Sequence, residues 1–181
     1  MTDITAVNGT FTIDPAHSRL GFVTRHAMIT KVRGSFDEFA GTASGNGSDA
    51  SSVSVEVTAQ TASFTTGNAD RDAHVKSADF LDVENHPTMT FRSTSAAIKD
   101  DVLELTGDLT IKGVTKSLTI PFEFGGEALD PFGNTRIGFE GRTKISRKDF
   151  GLTWNAALET GGVLVSDDVA LELEISAIKQ N

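Results

Sequence analysis

Four histidines are the residues best suited to metal or acid–base chemistry, and their spacing does not group them. His17, His26, His74 and His86 lie far apart along the chain. No pair has the HxH or HExxH spacing that directs two imidazoles at one metal ion. A metal site would need three of them to converge through folding alone, so isolated structural or surface histidines are the simpler interpretation. We therefore predict no metal centre.

Other short patterns that could support catalysis lack the context that such chemistry needs. Residues 45–50 match the phosphate-loop pattern GxGxxA, but they precede a predicted strand instead of joining a strand to a helix. Residues 149–151 spell the kinase tripeptide DFG without a glycine-rich loop, a strand lysine or an HRD motif. There is no GxSxG elbow and no cysteine. The sequence therefore gives no positive support for an enzyme or for a bound cofactor.

Residues 68–91 hold an unusual concentration of charged and aromatic side chains between two predicted strands. Asn68 is a typical N-cap, acidic residues follow in the first turn and Lys76 comes late, which predicts a short helix over about 69–76. As a lid, this segment could present polar groups to a ligand while Phe80 faces the interior. As a simple plug in one end of a barrel, its charges would form ordinary ion pairs.

The elements around these residues are strands. The clearest signal is a hairpin over 103–124, where apolar residues occupy alternate positions on both sides of a turn at Gly113. About eight main strands with this character are predicted, together with the one helix. The segments are 10–13, 19–28, 31–42 with an irregularity near 37–38, 52–59, 88–95, the two arms of the hairpin, 136–146 and 168–178.

These elements predict a single all-β domain over residues 1–181. An antiparallel sheet of this size must curl or split into layers. A closed barrel with an apolar inside and a polar outside explains the long alternating strands, and such a barrel can hold one small ligand. A two-sheet sandwich with a filled core is the alternative that the pattern leaves open.

Composition excludes several classes of protein. The 12 Phe, 1 Trp and no Tyr favour a purely apolar interior, and a net charge of −9 argues against nucleic acid as a partner. No apolar run is long enough to span a membrane. The first ten residues have neither the basic nor the apolar region of a secretory signal, so a cytoplasmic location is expected.

Five stretches, in order along nearly the whole chain, resemble the YceI-like family of lipid-binding proteins. They are residues 11–41, 71–91, 107–124, 145–155 (ISRKDFGLTWN) and 158–179. The resemblance implies an eight-stranded antiparallel lipocalin-like barrel with a short helical lid. Its long apolar pocket would hold a polyisoprenoid chain, as in isoprenoid quinones or prenyl phosphates. Many relatives are periplasmic, but this chain resembles the cytoplasmic branch. A homodimer is also allowed, since dimers are common in the family.

The residues themselves agree with an isoprenoid ligand, because an apolar wall needs no directional contacts to bind an apolar chain. At the mouth, the candidates for a polar head group are Arg25, His26, Arg71 and His74, since Arg suits phosphate and His suits a quinone oxygen. For each of these four, a structural hydrogen bond is the alternative role. The expected apolar ligand contacts are Phe22, Phe36, Phe39, Phe80, Phe91, Leu105, Ile120, Phe122, Phe139 and Trp154.

Three functions remain open on the sequence. The first is a carrier or store for an isoprenoid lipid, without chemistry. The second is an enzyme acting on a lipid head group at the barrel mouth, for which His26 with Asp72 or Asp79 could form an acid–base pair. The third is a ligand-free interaction module whose phenylalanines form a solid core. An empty volume inside the barrel would favour the first two functions, and a filled interior would favour the third.

Overall fold

The computed structural model describes residues 3–181, which form one antiparallel sheet and one α-helix, α1 (Ala69–Lys76). The strands alternate direction throughout, and short turns or 3₁₀ segments join most of them. The strands are β1 (Asn8–Ile13), β2 (Arg19–His26), β3 (Thr30–Phe36), β4 (Phe39–Asn46), β5 (Asp49–Gln60), β6 (Phe64–Thr65), β7 (Thr88–Lys99), β8 (Val102–Ile111), β9 (Val114–Leu129), β10 (Thr135–Ser146) and β11 (Asp168–Lys179).

Eight of these strands close into a ring. Hydrogen bonds connect them in the order β1-β4-β5-β7-β8-β9-β10-β11, and β11 returns to β1 where Phe11 pairs with Lys179 and Ile13 with Ala177. The eight-stranded antiparallel barrel is therefore confirmed, and the two-sheet sandwich is wrong. The central hairpin is β8–β9, and its turn residues Lys112 and Gly113 both have positive φ, as a tight two-residue turn requires.

The other three strands extend from one end of the ring. The first half of β11 pairs with β2, from Ala170 opposite Val23 to Glu174 opposite Arg19, and β2 continues the sheet to β3 and β6. The single strand predicted over 31–42 is thus two strands, β3 in the extension and β4 in the ring. The chain passes from β3 to β4 at residues 37–38. There the Asp37 N–H donates to the Ser63 carbonyl oxygen, and the Glu38 carbonyl oxygen accepts from the Gln60 N–H.

Helix α1 has the bounds that its sequence predicts. The Asn68 side chain accepts a hydrogen bond from the backbone N–H of Arg71 at 3.0 Å, and this cap fixes the start of the helix. Asp70 and Asp72 lie in its first turn and His74 and Lys76 in its last, where each pair complements the helix dipole, whereas Arg71 lies in the first turn. Within residues 3–181, no helix is long and apolar enough to cross a bilayer.

A short 3₁₀ segment near the N-terminus, Ile4–Ala6, fills a gap in the barrel wall. Strands β5 and β7 pair only from Glu56 opposite Arg92 to Gln60 opposite Thr88, and their other halves separate. Ile4 is 3% exposed and packs in that gap, and its backbone N–H donates to the Asp101 carboxylate at 3.1 Å. Ile4 belongs to a buried cluster with Leu103, Leu105, Ile120 and Phe122, and the side chains packed against this cluster include Val53, Val55, Ala96 and Ile98.

The turn between β9 and β10 is fixed by one arginine and two carboxylates. Arg136 donates to Asp130 and to Asp14, each at 2.7 Å. Asp130 also accepts the backbone N–H groups of Phe132 and Asn134. Hydrogen bonding to the Arg136 guanidinium is the main cause that holds the pKa of both Asp130 and Asp14 below the ordinary value of 3.8.

Replacing Ile4 by Ala should lower the free energy of unfolding by about 2 to 4 kcal/mol, because the side chain is buried and leaves a cavity. Urea unfolding measures the change. Leu129→Ala is the control, since that side chain is exposed and should change stability by less than about 0.5 kcal/mol. Equal effects of the two substitutions would show that the N-terminal segment does not fill the wall.

The Asp130 contacts predict acid sensitivity. A carboxylate whose pKa is lowered by folding stabilises the protein above its unfolded pKa, near 3.8, and that stability is lost as the pH falls below this value. Asp130→Asn should therefore be less stable than wild type at pH 7, and its stability should fall less steeply on acidification. Urea unfolding across a pH series tests this, and parallel curves for the two proteins would contradict it.

Candidate functional site

The barrel encloses an apolar cavity of about 670 Å³. All eight strands of the ring contribute to its wall, and it extends along β10 from Ile137 to Ile145 and along β11 from Ala177 to Val169. On both strands the side chains that line it are those at alternate positions, as period-2 patterning requires. The phenylalanine-rich interior is therefore not a solid core.

Nine of the ten apolar side chains expected at the ligand line this cavity. They are Phe22, Phe36, Phe80, Phe91, Leu105, Ile120, Phe122, Phe139 and Trp154. Phe39 does not. It lies at the start of β4, is 8% exposed, and packs against Ile13 and Ala59, which themselves line the cavity. Phe39 thus supports the wall from behind, because those two side chains stand between its ring and the empty space.

Every ionisable side chain of the lining lies at one end of the cavity. Arg25 and His26 end β2, and Arg71 and His74 lie on α1, so the structure brings the four predicted mouth residues to a common rim. Asp70 and Arg147 complete the set. His26 also forms an isolated β-bridge with Val165, which joins β2 to the long loop after β10. The rest of the wall is almost entirely hydrocarbon.

On one side of the rim, Arg71 is held by the chain that precedes α1. Its Nε donates to the Thr66 hydroxyl at 2.7 Å, and its Nη2 donates to the Thr66 carbonyl oxygen at 3.3 Å. Asp72 in turn accepts from the Thr66 backbone N–H and hydroxyl. These bonds fix the guanidinium at the cavity wall, and within residues 3–181 its Nη1 has no hydrogen-bond acceptor.

His74 occupies an aromatic corner of the rim. Its ring meets Phe80 edge-on with centroids 5.1 Å apart, and Trp154 likewise at 4.5 Å. Its Nε2 lies 2.9 Å from a carboxylate oxygen of Asp79. Of the two rim histidines, the one that pairs with an acid is therefore His74 and not His26, and Asp72 is bonded to Thr66 instead. In the described part of the chain, no three His, Asp or Glu side chains are grouped so that they could hold a metal ion.

Arg147 organises the loop that forms the other side of the rim. The residue is 5% exposed, and burial lowers its pKa while nearby Asp167 opposes that shift. Its guanidinium also lies 5.9 Å from the centre of the Phe80 ring. Its N–H groups reach four backbone carbonyl oxygens and one carboxylate, those of Leu152, Trp154, Val165, Ser166 and Asp167. Its four hydrogen bonds to backbone carbonyl oxygens hold the loop together, so Arg147 positions the mouth.

The Thr24 hydroxyl is a polar atom of the wall without a partner. Thr24 lies between Phe22 and His26 on the inward face of β2, and its Oγ1 is buried. Among residues 3–181, no donor or acceptor contacts this atom. A buried hydroxyl without a hydrogen bond costs free energy, so this atom favours a ligand that brings a polar group to the same end of the cavity.

Comparison with known proteins agrees with this architecture. Residues 11–177 match the sequence profile of the YceI-like domain. The chain belongs to the YceI-like family. A UPF0312 protein of Staphylococcus aureus (strain N315) is 38% identical over 163 residues, which cover 90% of this chain and 93% of the relative.

Two solved structures share the YceI-like barrel. BcnA of Burkholderia cenocepacia superposes with a TM-score of 0.80 at 25% identity, over 91% of this chain and 98% of that one. A domain of Saccharophagus degradans, described as polyisoprenoid-binding and implicated in plant cell wall breakdown, superposes with a TM-score of 0.73 at 16% identity, over 94% and 98%. The second likeness is one of fold alone.

Sequence reasoning missed two important side chains of this YceI-like cavity. The alternation that directs His26 inward also directs Thr24 inward, so periodicity was a sufficient signal for that residue. Arg147 lies inside the stretch 145–155 that carries the family resemblance, but an arginine in a polar run ordinarily indicates a surface position. Only the fold shows that it is buried beneath the loop it organises.

Replacing Arg147 by Lys should lower the free energy of unfolding by about 2 to 4 kcal/mol, since each buried carbonyl left unpaired costs about 1 to 3 kcal/mol. It should also speed amide hydrogen exchange in residues 152–166, which mass spectrometry measures. Lys148→Gln is the control, because Lys148 pairs with the same Asp167 from an exposed position and should cost less than about 1 kcal/mol. Unchanged exchange in Arg147→Lys would contradict the positioning role.

Proposed function

We propose that this protein binds an isoprenoid lipid in the barrel cavity and stores or transports it without chemical change. The observation that carries the proposal is the distribution of polarity in the wall. A long hydrocarbon interior ends in a rim whose ionisable side chains include Arg25, Arg71, His26 and His74. An isoprenoid quinone or a prenyl phosphate has the same arrangement, a long branched hydrocarbon with one polar end.

The size of the cavity supports such a ligand. A volume near 670 Å³ lies within the range of about 300 to 1,000 Å³ typical of small-molecule sites. If each non-hydrogen atom takes about 30 Å³, the volume of one water molecule in the liquid, the cavity accommodates on the order of 20 such atoms, or about four isoprene units. Each buried methylene contributes about 0.8 kcal/mol, so the chain supplies most of the affinity.

The rim supports a polar head group of low specificity. Arg71 offers its Nη1 donors to a phosphate or carbonyl oxygen, and Thr24 offers a hydroxyl. Arg25 also lines the cavity, and its Nη1 donates to the Ile29 carbonyl oxygen at 3.4 Å. The domain of Saccharophagus degradans that shares this fold is described as polyisoprenoid-binding, which favours binding over catalysis. The pair of His74 with Asp79 at 2.9 Å is the feature that an enzyme acting on the head group would use.

Gentle purification from the native host, followed by solvent extraction and mass spectrometry of the lipids, tests the proposal. A stoichiometric isoprenoid is the expected result, and it identifies the head group. Recovery of a shortened or dephosphorylated product after incubation with geranylgeranyl diphosphate would favour the enzyme. No bound lipid from native cells, and none after incubation with quinones and prenyl phosphates, would overturn the proposal.

The proposed roles of Thr24 and Arg71 predict different changes in affinity for two probes that have the same hydrocarbon chain and different head groups. Thr24→Val and Arg71→Met should each weaken binding of geranylgeranyl diphosphate, by on the order of tenfold for the charged contact of Arg71. Binding of the alcohol geranylgeraniol should change little for Arg71→Met. Fluorescence titration through Trp154, at the rim, measures both.

Stability measurements separate these roles from structural ones. Thr24→Val should leave the free energy of unfolding unchanged or raise it, because it removes a buried hydroxyl that has no partner. Phe39→Leu is the control outside the cavity, and it should affect stability without changing the ratio of affinities for the two probes. If Arg71→Met weakened both probes equally, the guanidinium would hold the lid and not the head group.

A further inference from the structure

The turn between β2 and β3 exposes two large apolar side chains beside the cavity mouth. Met28 is 60% exposed and Ile29 is 77% exposed, and Val163 from the loop after β10 is also exposed nearby. The Met28 sulfur lies against Gly162. We call Met28, Ile29 and Val163 the apolar tip. Soluble proteins rarely place large apolar side chains together on a protruding turn unless the turn has a partner.

The backbone of this turn is strained in a way that maintains the exposure. Ala27 and Met28 both have positive φ, 51° and 64°, although neither is a residue that favours this region. Hydrogen bonds from the Ala27 N–H to the Leu164 carbonyl at 2.7 Å and from the Ile29 N–H to the His26 carbonyl at 3.1 Å maintain the conformation. Asn-Gly would form such a turn at lower cost, so Ala-Met indicates a requirement for apolar side chains.

Three cations lie directly behind the apolar tip. Arg25 is directly opposite Lys31 across the hairpin, and Arg33, opposite Val23, is their diagonal neighbour. We call Arg25, Lys31 and Arg33 the cationic face. Like charges that face each other across two strands destabilise a hairpin, and none of the three has an ion-pair partner within residues 3–181. This cluster is positive although the net charge of the whole chain is −9.

The opposite end of the barrel provides an internal comparison. The turn between β9 and β10 also exposes apolar side chains, Leu129 at 73% and Phe132 at 87%. That turn is built around the carboxylates of Asp130 and Asp14, and it lies beyond Thr135, at the end of β10 away from the rim. Exposed hydrocarbon thus occurs at both ends. In residues 3–181 the far end also has cations without ion-pair partners, Lys99 and Lys179, but they end separate strands. At the open mouth, three such cations share one face of a single hairpin.

We propose that the apolar tip and the cationic face dock on a bilayer that contains anionic lipid. The tip inserts among the acyl chains at the interface, and the cations contact the phosphates behind it, which is the chemistry of interfacial membrane binding. Because His26 and Arg25 belong both to this hairpin and to the rim, docking places the cavity mouth against the bilayer. The inference goes beyond ligand binding, since the docking contacts require no occupant of the cavity.

Co-sedimentation of the full chain with phosphatidylcholine vesicles, with and without phosphatidylglycerol, tests the docking. We expect binding only with phosphatidylglycerol, and a decrease with added salt. Lys31→Glu/Arg33→Glu should weaken binding by on the order of twentyfold or more, from the interaction of about two charges with the surface. Met28→Asn/Ile29→Ser should weaken it at every salt concentration, and the introduced asparagine tolerates the positive φ of the turn.

The matched control is Leu129→Ser/Phe132→Ser, which removes comparable exposed hydrocarbon from the far end and should leave vesicle binding unchanged. Equal loss from both apolar pairs, or equal binding to vesicles without phosphatidylglycerol, would overturn the proposal. A change of oligomeric state in Met28→Asn/Ile29→Ser by size-exclusion chromatography, without a change in vesicle binding, would show that the tip contacts a second copy and would also overturn it.

Failure of docking and failure of the proposed lipid function are distinguishable. None of Met28, Ile29, Lys31 and Arg33 lines the cavity. Binding of geranylgeraniol in solution should therefore be the same for the wild type and for these variants, whether or not vesicles bind. Transfer of a fluorescent prenol from vesicles to the protein should be slower for the variants than for the wild type. If the wild-type protein did not bind geranylgeraniol at all, the proposed lipid function would be wrong. The vesicle measurements would still test docking in that case.

Discussion

The pairing of β11 with three neighbours is the constraint on which the rest of the structure depends. Its whole length pairs with β10, its last residues pair with β1 and close the ring, and its first half pairs with β2. One strand thus closes the barrel at one end and diverts the sheet outward at the other. Because β2 and β3 leave the ring there, that end stays open for a mouth, and the ionisable side chains of the lining gather around it.

An open end exposes backbone that the ring no longer pairs, and Arg147 supplies the missing partners. A single buried guanidinium satisfies four carbonyl oxygens of the loop between β10 and β11. These bonds hold the guanidinium within the loop whose position it fixes, and Asp167 lies 3.6 Å from its Nη2. In the proposed function, the head group is contacted by Arg71, which Thr66 holds at the rim, and by the unpartnered hydroxyl of Thr24.

The two ends of the barrel therefore differ in chemistry as well as in shape. At the far end, Ile4 fills the gap between β5 and β7, and Arg136 binds the carboxylates of both Asp14 and Asp130 at a fixed turn. At the mouth, apolar side chains protrude beside unpaired cations. A protein that exchanges a lipid with a membrane needs this asymmetry, because a water-insoluble chain that leaves a bilayer through an adjacent mouth avoids exposure to solvent.

The family resemblance implied the closed barrel, which the alternation alone left open against a two-sheet sandwich. The sequence by itself determined most of the strands and the bounds of the helix. Local signals are sufficient for these, since alternation assigns a face to each residue and Asn68 caps one helix whatever surrounds it. Tertiary structure alone decided that 31–42 divides between ring and extension, that Phe39 lies behind Ile13 and Ala59, and that Arg147 is buried. Each of these depends on which strand or loop, distant in the sequence, packs against the residue. The local sequence pattern does not determine such contacts.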